Sequence, residues 1–330
     1  QSGTATISSY IYMNYGAVIN NSVGGTFNLN SSSGYPIQKN YGTSIFNNAG
    51  TLNQQATGTQ DISTTFNNSG TVNAQTGSLS FTGGYTQTAG VTRLNGGNLS
   101  SSTTININGG NLTGYGTITG NVNNAGDLSP SGILNITGNY TQTNTGVLNI
   151  RIGGMLAGTE YGQINITGAA ALNGALRLNW INGFMPSAGN TFEVMTFGSR
   201  TGSLITINNA TIGNVIFKTN YLANKIVLQG ELDSDGDGLS DNDEINIYGT
   251  DPFDSDTDNY GYTDGDEVLN GMDPLVPDID TDNDGVFDDK DNCPLLANPD
   301  QADSDKTVIE GMVSYWNFVE GTGTETYDYV

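Results

Sequence analysis

The segment Phe46-Asn-Asn-Ala-Gly-Thr-Leu-Asn53 returns twenty residues later as Phe66-Asn-Asn-Ser-Gly-Thr-Val-Asn73, and Gly90 falls twenty after Gly70. Tyr85-Thr-Gln-Thr88 reappears as Tyr140-Thr-Gln-Thr143, and Asn95-Gly-Gly-Asn-Leu99 as Asn108-Gly-Gly-Asn-Leu112. Between these repeats lie short alternations such as Thr104-Ile-Asn-Ile107 and Ile164-Asn-Ile-Thr167, punctuated by Gly and Asn. Alternation at period two indicates short strands, and a repeat near twenty residues with β character indicates one coil of a parallel β-helix per repeat. A coil cannot bury its apolar face alone; it pairs with the coils above and below at roughly 4.8 Å per step. About eleven such coils over residues 1–230 make a rod on the order of 50 Å long. Recurrent Asn suits a coil corner, through side-chain amide ladders and tolerance of left-handed backbone. The competing readings are a disordered Gly/Asn/Thr segment and a β-sandwich array; regularly placed Phe, Leu, Val and Ile argue against disorder. The fold class expected is all-β: a parallel β-solenoid with a C-terminal, loop-rich segment.

Charge divides the 330 residues sharply. Residues 1–230 carry seven Lys/Arg and four acids (Asp61, Asp127, Glu160, Glu193), whereas residues 231–330 carry two basic residues and 29 acids. Such a density of like charge expands a chain unless counterions are bound, so the C-terminal part is either a disordered acidic tail or a metal-bound segment. The sequence has no His, which removes the commonest general base and transition-metal ligand. A single Cys293 forms no intrachain disulfide. No apolar run is long enough to span a membrane, and the basic character of a nucleic-acid binder is absent. Gln1 opens the chain without a charged-then-apolar leader, as in a processed piece of a longer precursor.

Residues 114–228 resemble the C-terminal part of bacterial autotransporter-type passenger domains. The resemblance is carried by Gly114-Tyr-Gly-Thr-Ile-Thr-Gly120, Asn124-Ala-Gly-Asp-Leu-Ser-Pro130 and Gly132-Ile-Leu-Asn-Ile-Thr-Gly-Asn-Tyr140. It continues through Tyr161-Gly-Gln-Ile-Asn-Ile-Thr-Gly168, Leu172-Asn-Gly-Ala-Leu176 and Gly183-Phe-Met-Pro-Ser-Ala-Gly-Asn-Thr-Phe192. It implies a right-handed β-solenoid exposed on a bacterial surface.

The spacing of acids after residue 231 favours metal over disorder. Asp233-Ser-Asp-Gly-Asp-Gly-Leu-Ser-Asp-Asn-Asp-Glu244 fits the twelve-residue calcium loop throughout. Asp233, Asp235 and Asp237 take places 1, 3 and 5, and Gly238 makes the turn. The Leu239 carbonyl takes place 7, Asp241 acts at place 9 through water, and Glu244 closes the site. In the second loop Asp256, Asp258, Gly261, Tyr262, Asp264 and Glu267 hold places 1, 3, 6, 7, 9 and 12. Tyr260 replaces the acid at place 5, so the expectation is either a weaker site or one that borrows an oxygen from the nearby Asp254. In the third, Asp280, Asp282, Asp284, Gly285, the Val286 carbonyl and Asp288 are followed by Asp291 at place 12. Glu244-Ile-Asn-Ile-Tyr248 and Glu267-Val-Leu-Asn270 suit one or two helical turns, ended by Gly-Thr-Asp-Pro (249–252) and Gly-Met-Asp-Pro (271–274).

The continuation Asp291-Asn-Cys-Pro-Leu-Leu-Ala-Asn-Pro-Asp-Gln301 closely resembles a thrombospondin type 3 repeat. The resemblance covers about 75 residues from Asp233. It implies a chain that wraps around Ca2+ with little apolar core, with Asp291 a ligand alongside Asp303 and Asp305 of the next repeat. Two departures stand out: the partner of Cys293 is missing, and the next loop breaks off at residues 306–308. The expected domains are therefore 1–230, the solenoid; 231–305, the calcium repeats; and 306–330. The last contains Val313-Ser-Tyr-Trp-Asn-Phe-Val-Glu-Gly-Thr-Gly-Thr-Glu-Thr-Tyr-Asp328, which resembles the opening strand of a laminin-G or concanavalin-like jelly roll.

Three functional classes follow. The first is an extracellular, bacterial surface protein, structural or adhesive, whose partners are calcium, other copies of itself or surface and matrix glycans. The second is a polysaccharide-degrading enzyme, for which the solenoid offers only four scattered acids. The third is a glycan-binding module using Trp180, Tyr161 or Phe184, which at this spacing better fill the solenoid's end. The expectation is a non-enzymatic, calcium-binding structural protein.

Overall fold

Alternation decides which side chains turn inward. In the strands Thr51–Gln54 and Thr71–Ala74 the second and fourth residues are buried and the first and third half-buried. Leu52 pairs in parallel with Val72, and Thr51 with Thr71, so the sequence repeat is the structural repeat. The computed structural model describes residues 3–277, 279–286, 288, 291–302, 315–316 and 328–329.

Three parallel ladders run up the first part of the chain. On one face Thr4, Thr26, Thr51, Thr71, Val91, Asn111, Asp127, Val147, Ala175 and Thr206 stand in register. That makes ten coils where about eleven were expected, because later coils are longer. On a second face Ile19, Phe46, Phe66, Tyr85, Ile105, Val122, Tyr140 and Ala170 align. On the third, Gln60, Leu79, Leu99, Ile118, Ile136 and Ile166 align. This is the parallel β-solenoid that the repeat predicts. Inward columns such as Leu52, Val72, Leu112, Leu128, Leu148 and Leu176 are wholly buried and form the core.

Two features fix the spacing of coils. Where the second face turns into the first, a glycine recurs in successive coils. A Cβ on Gly70 would lie 2.1 Å from the Gly50 carbonyl oxygen, and one on Gly90 1.9 Å from that of Gly70. No side chain fits there, which is why Gly50, Gly70 and Gly90 hold the repeat's fifth place. Beside this corner runs a buried amide ladder. Asn21 Nδ2 donates to Asn48 Oδ1 (2.7 Å), Asn48 Nδ2 to Asn68 Oδ1 (2.8 Å), and Asn68 Nδ2 to Gln87 Oε1 (3.1 Å). A second, outward ladder joins Asn20, Asn47 and Asn67 at 2.9 and 3.0 Å.

The parallel pattern ends at residues 191–232. Thr191–Thr196 is parallel to Gln163–Ile166 on one side but antiparallel to Lys225–Leu232 on the other, and Val215–Tyr221 pairs antiparallel with Lys225–Leu232. A hairpin therefore covers the sheet edge at 191–196, the usual way to blunt an edge strand. Tyr161, Trp180 and Phe184 surround Phe192 at ring-centroid distances of 5.3, 6.3 and 6.3 Å, and Trp180 meets Phe217 at 4.9 Å.

The chain divides into two compact units, residues 1–247 and 248–330. The first acidic loop, 233–244, thus belongs to the solenoid's unit. In the second unit the helix Asp264–Asn270 is capped by Thr263, whose side chain accepts from the Asp266 N–H. It ends at Gly271 in left-handed conformation. Its deeply buried residues include acids, Asp264 and Glu267, while Phe253, Leu269 and Leu295 are exposed. The jelly-roll expectation for 306–330 falls almost wholly outside the described residues; Tyr315–Trp316 pairs antiparallel with Asp328–Tyr329.

Candidate metal centres

In the first loop, alternate acids on a tight turn converge. Asp233, Asp235 and Asp237 bring carboxylate oxygens within 4.8 Å of one another, and so do Asp280, Asp282 and Asp284 in the third. Glycines in left-handed conformation make the turns: Gly238 (φ 100°), Gly261 (104°) and Gly285 (93°). Gly236 N donates to Asp233 Oδ1 at 2.8 Å and Leu239 N to Asp237 Oδ1 at 2.8 Å. Asp280 in turn accepts from the Asn283 and Gly285 amides at 2.8 and 3.0 Å. Asp233 and Asp237 use Oδ1 in these bonds, whereas Asp280 accepts on both of its oxygens.

The buried oxygens supply the test of fit. Oδ2 of Asp233, Asp235, Asp282 and Asp291 is buried with no hydrogen-bond partner, and Asp233 itself is 0% exposed. Burial pushes the Asp233 and Asp235 carboxyls up, and the neighbouring Asp237 pushes both further. Asp282 is raised as well, by desolvation and then by the charges of Asp284 and Asp291. Buried acids that repel one another and lack donors are stabilised by a hard cation, and oxygen-only donor sets on a flexible loop suit calcium.

All three loops share a device that sequence reading missed. Both oxygens of the acid at place 9 are held by the residue at place 2. Asp241 accepts from Ser234 N and Oγ, both at 2.8 Å; Asp264 from Thr257 N and Oγ1 at 2.9 and 2.6 Å; Asp288 from Thr281 N and Oγ1 at 2.8 and 2.5 Å. Asp241, Asp264 and Asp288 therefore clasp the loop shut, which accommodates contact with an ion through water. The hydroxyl at place 2, present in each loop, was the available signal.

The other expected residues fall as follows. Glu244 and Glu267 are buried at their loops' ends, at 0% and 1% exposure. Asp256 accepts from the Tyr260 and Gly261 amides at 3.1 and 2.9 Å, and Asp258 accepts from Tyr260 N at 3.0 Å. With Tyr260 at place 5, 56% exposed, the second loop has two acids where the others have three. Leu239, Tyr262 and Val286 sit at place 7 beyond the turn in each case. Asp291 Oδ1 accepts from Cys293 N at 2.8 Å and Gln301 Nε2 at 3.0 Å. Asp303 and Asp305 lie outside the described residues.

Acidic, oxygen-only loops of this geometry are of a type that suits calcium. Residues 233–255 and 256–277 each match the bacterial TSP3 repeat family, whose repeats are of calcium-binding type. The third loop lies beyond the matched residues. No curated protein matches the chain.

Proposed function

We propose that the chain is an extracellular structural protein of a bacterial surface: a stiff β-solenoid with calcium-stabilised repeats that carries or links adhesive elements. The carrying observation is the set of buried, unpartnered carboxylate oxygens of Asp233, Asp235 and Asp282 in loops of a calcium-binding repeat type. Such repeats are typical of extracellular proteins, where calcium is millimolar. Affinities of about 10⁻⁴ to 10⁻³ M suffice there. No helix among the described residues is long and apolar enough to cross a membrane.

A structural rather than enzymatic role is supported by what the solenoid's acids do. Asp61 accepts from Ser80 and Thr82 hydroxyls (2.7 and 2.9 Å), and Glu160 accepts from the Leu156 N–H (2.9 Å). Asp127 accepts from Ser129 (2.5 Å) and faces Arg177 (3.7 Å), and Glu193 pairs with Lys225 (2.9 Å). Each has a structural partner. Self-assembly into filaments draws support from strands such as Thr206–Asn208, which pairs in register with Ala175–Trp180 and to which a further strand can add. A glycan-binding reading draws on exposed tyrosines near the strands Ile11–Asn14 and Ile37–Tyr41: Tyr10, Tyr12, Tyr15, Tyr35 and Tyr41.

Calorimetric titration of the intact chain with calcium tests the main reading, with Asp235→Asn and Asp282→Asn as variants. Loss of one binding event in each variant is expected. No heat of binding at millimolar calcium would overturn it. Electron microscopy with calcium and with chelator separates filaments from single rods, and turnover assays on acidic polysaccharides test the enzymatic alternative.

A further inference from the structure

The first acidic loop does not hang free of the solenoid. Its first ligand follows directly on the hairpin strand Lys225–Leu232, and Asp233 N donates to the Asn214 carbonyl at 3.1 Å, extending the hairpin by one bond. On the other hairpin strand, Val215–Tyr221, the Lys218 ammonium reaches across to the loop's far side. It donates to Ser240 Oγ at 2.6 Å, pairs with Glu231 at 2.9 Å and pairs also with Asp243. Ser240 is fully buried and stands between place 7 and place 9 of the loop. Its hydroxyl donates to Glu231 at 2.8 Å and accepts from Asp243 N at 3.2 Å. Both ends of the loop are thereby fastened to the hairpin that covers the 191–196 edge.

We infer that Lys218 is a positioning residue coupling calcium at the first loop to closure of the solenoid's end. The inference rests on the reading that this loop takes calcium. With the ion bound, its two positive charges offset much of the repulsion among the five acids at 233, 235, 237, 241 and 244, and the loop holds Ser240 and Asp243 against Lys218. Without it they repel one another, the loop opens, and the hairpin loses the partners of its central cation. Coupling of this kind is reciprocal: an intact Lys218 contact tightens calcium, and calcium tightens the hairpin. Lys218 touches no ligand oxygen of the loop in this geometry; it acts through residues at places 8 and 11. The analogous loop at 256–267 lies in the other compact unit.

Hydrogen exchange read by mass spectrometry on the full chain tests this, comparing calcium with excess chelator. Protection of amides in 215–232 is expected to fall at least about tenfold in chelator, while 51–148 stays unchanged. Asp235→Asn should reproduce the loss in the presence of calcium, and Asp258→Asn, in the second loop, should not. Lys218→Met and the milder Asp243→Asn, which alters no ligand, should leave hairpin protection nearly insensitive to calcium. Each should also weaken the first site in calorimetry while keeping the number of sites. Hairpin protection that is equal in calcium and chelator, with calorimetry still showing one site lost in Asp235→Asn, overturns the coupling and leaves the calcium reading standing. A full response to calcium in Lys218→Met and Asp243→Asn assigns the coupling elsewhere and overturns the role of Lys218. Calorimetry that shows no difference between the intact chain and Asp235→Asn removes the calcium reading itself.

Discussion

At the residue scale the loops are the most legible part of the chain, because a calcium site of this type is local. Twelve consecutive residues carry its ligands, its turn and its closure, so Asp233, Asp235, Asp237 and Glu244 are readable from spacing alone. The place-2 hydroxyls were equally local, yet they escaped notice because a Ser or Thr among acids carries no ligand signature. Their role is testable. Thr257→Val keeps the shape and the N–H bond but removes the hydroxyl's bond to Asp264; calcium affinity of the second site is expected to drop about threefold to tenfold, with Thr257→Ser restoring it. Conversely, Tyr260→Asp supplies the missing acid at place 5. Calorimetry should then show a site about tenfold tighter, in line with the dependence of such loops on ligand charge. Glycine gives the sharpest contrast in the solenoid. Gly90→Ala meets both a left-handed φ of 72° and a carbonyl oxygen 1.9 Å from its Cβ, and is expected to cost about 3 kcal/mol or more in a denaturant melt. Gly58→Ala has nothing within 4 Å and no positive φ; it should be neutral or slightly stabilising.

At the scale of the element, legibility follows regularity. From Thr51 to Asn111 the register advances twenty residues per coil, and the repeat visible in the sequence is the one in the structure. It then shortens, Asn111 pairing with Asp127, and lengthens again, Val147 pairing with Ala175 and Ala175 with Thr206. Insertions at loops leave the core columns intact but erase the period, so the later coils were traceable only by resemblance. The closing hairpin was not foreseen, since antiparallel strands alternate just as parallel ones do and pairing partners are set by distant contacts. Lys218 illustrates this: nothing within its own strand marks it as the partner of residues 13 to 25 positions away. The amide ladders carry a comparison that isolates burial. Asn47 and Asn48 are adjacent, each in a ladder, but only Asn48 faces inward. Asn48→Ala breaks two buried amide bonds and is expected to cost about 2–3 kcal/mol, whereas Asn47→Ala should stay within about 0.5 kcal/mol, read from urea midpoints. The buried phenols set the alkaline limit. Burial pushes the Tyr85 and Tyr140 hydroxyls well above their ordinary pKa, against the hydrogen bonds from Thr92 and Asn124 that pull them down. The unfolded chain ionises first, so their contribution is whole below about pH 10 and is lost as pH climbs toward the folded-state values. Two such groups imply a stability falling by about 2.7 kcal/mol per pH unit above that point, half of it per tyrosine. Tyr140→Phe should reduce the slope in alkaline urea melts.

At the scale of the whole molecule, charge and architecture run in opposite directions along the chain. The near-neutral solenoid buries its apolar columns and needs no ion to do so, whereas the acidic part has 29 acids against two basic residues and little apolar core to oppose their repulsion. The second unit is therefore expected to expand in chelator while coils 51–148 keep their protection. Limited proteolysis of the full chain should show cleavage confined to residues beyond about 214 once calcium is removed. Screening separates two causes of that expansion. If general repulsion dominates, 1 M salt, which shortens the Debye length to about 3 Å, should recompact the chelated chain. If the geometry of the loops dominates, salt should restore little and calcium should act at millimolar concentration. Magnesium should act poorly, because it demands near-ideal octahedral geometry and sheds its water reluctantly. The buried oxygens of Asp233, Asp235, Asp282 and Asp291 favour the second outcome: diffuse counterions do not reach groups from which solvent is excluded. Small-angle scattering in chelator, chelator with 1 M salt, magnesium and calcium distinguishes the two directly. Compaction by salt alone would make the acidic segment a polyelectrolyte rather than a set of sites.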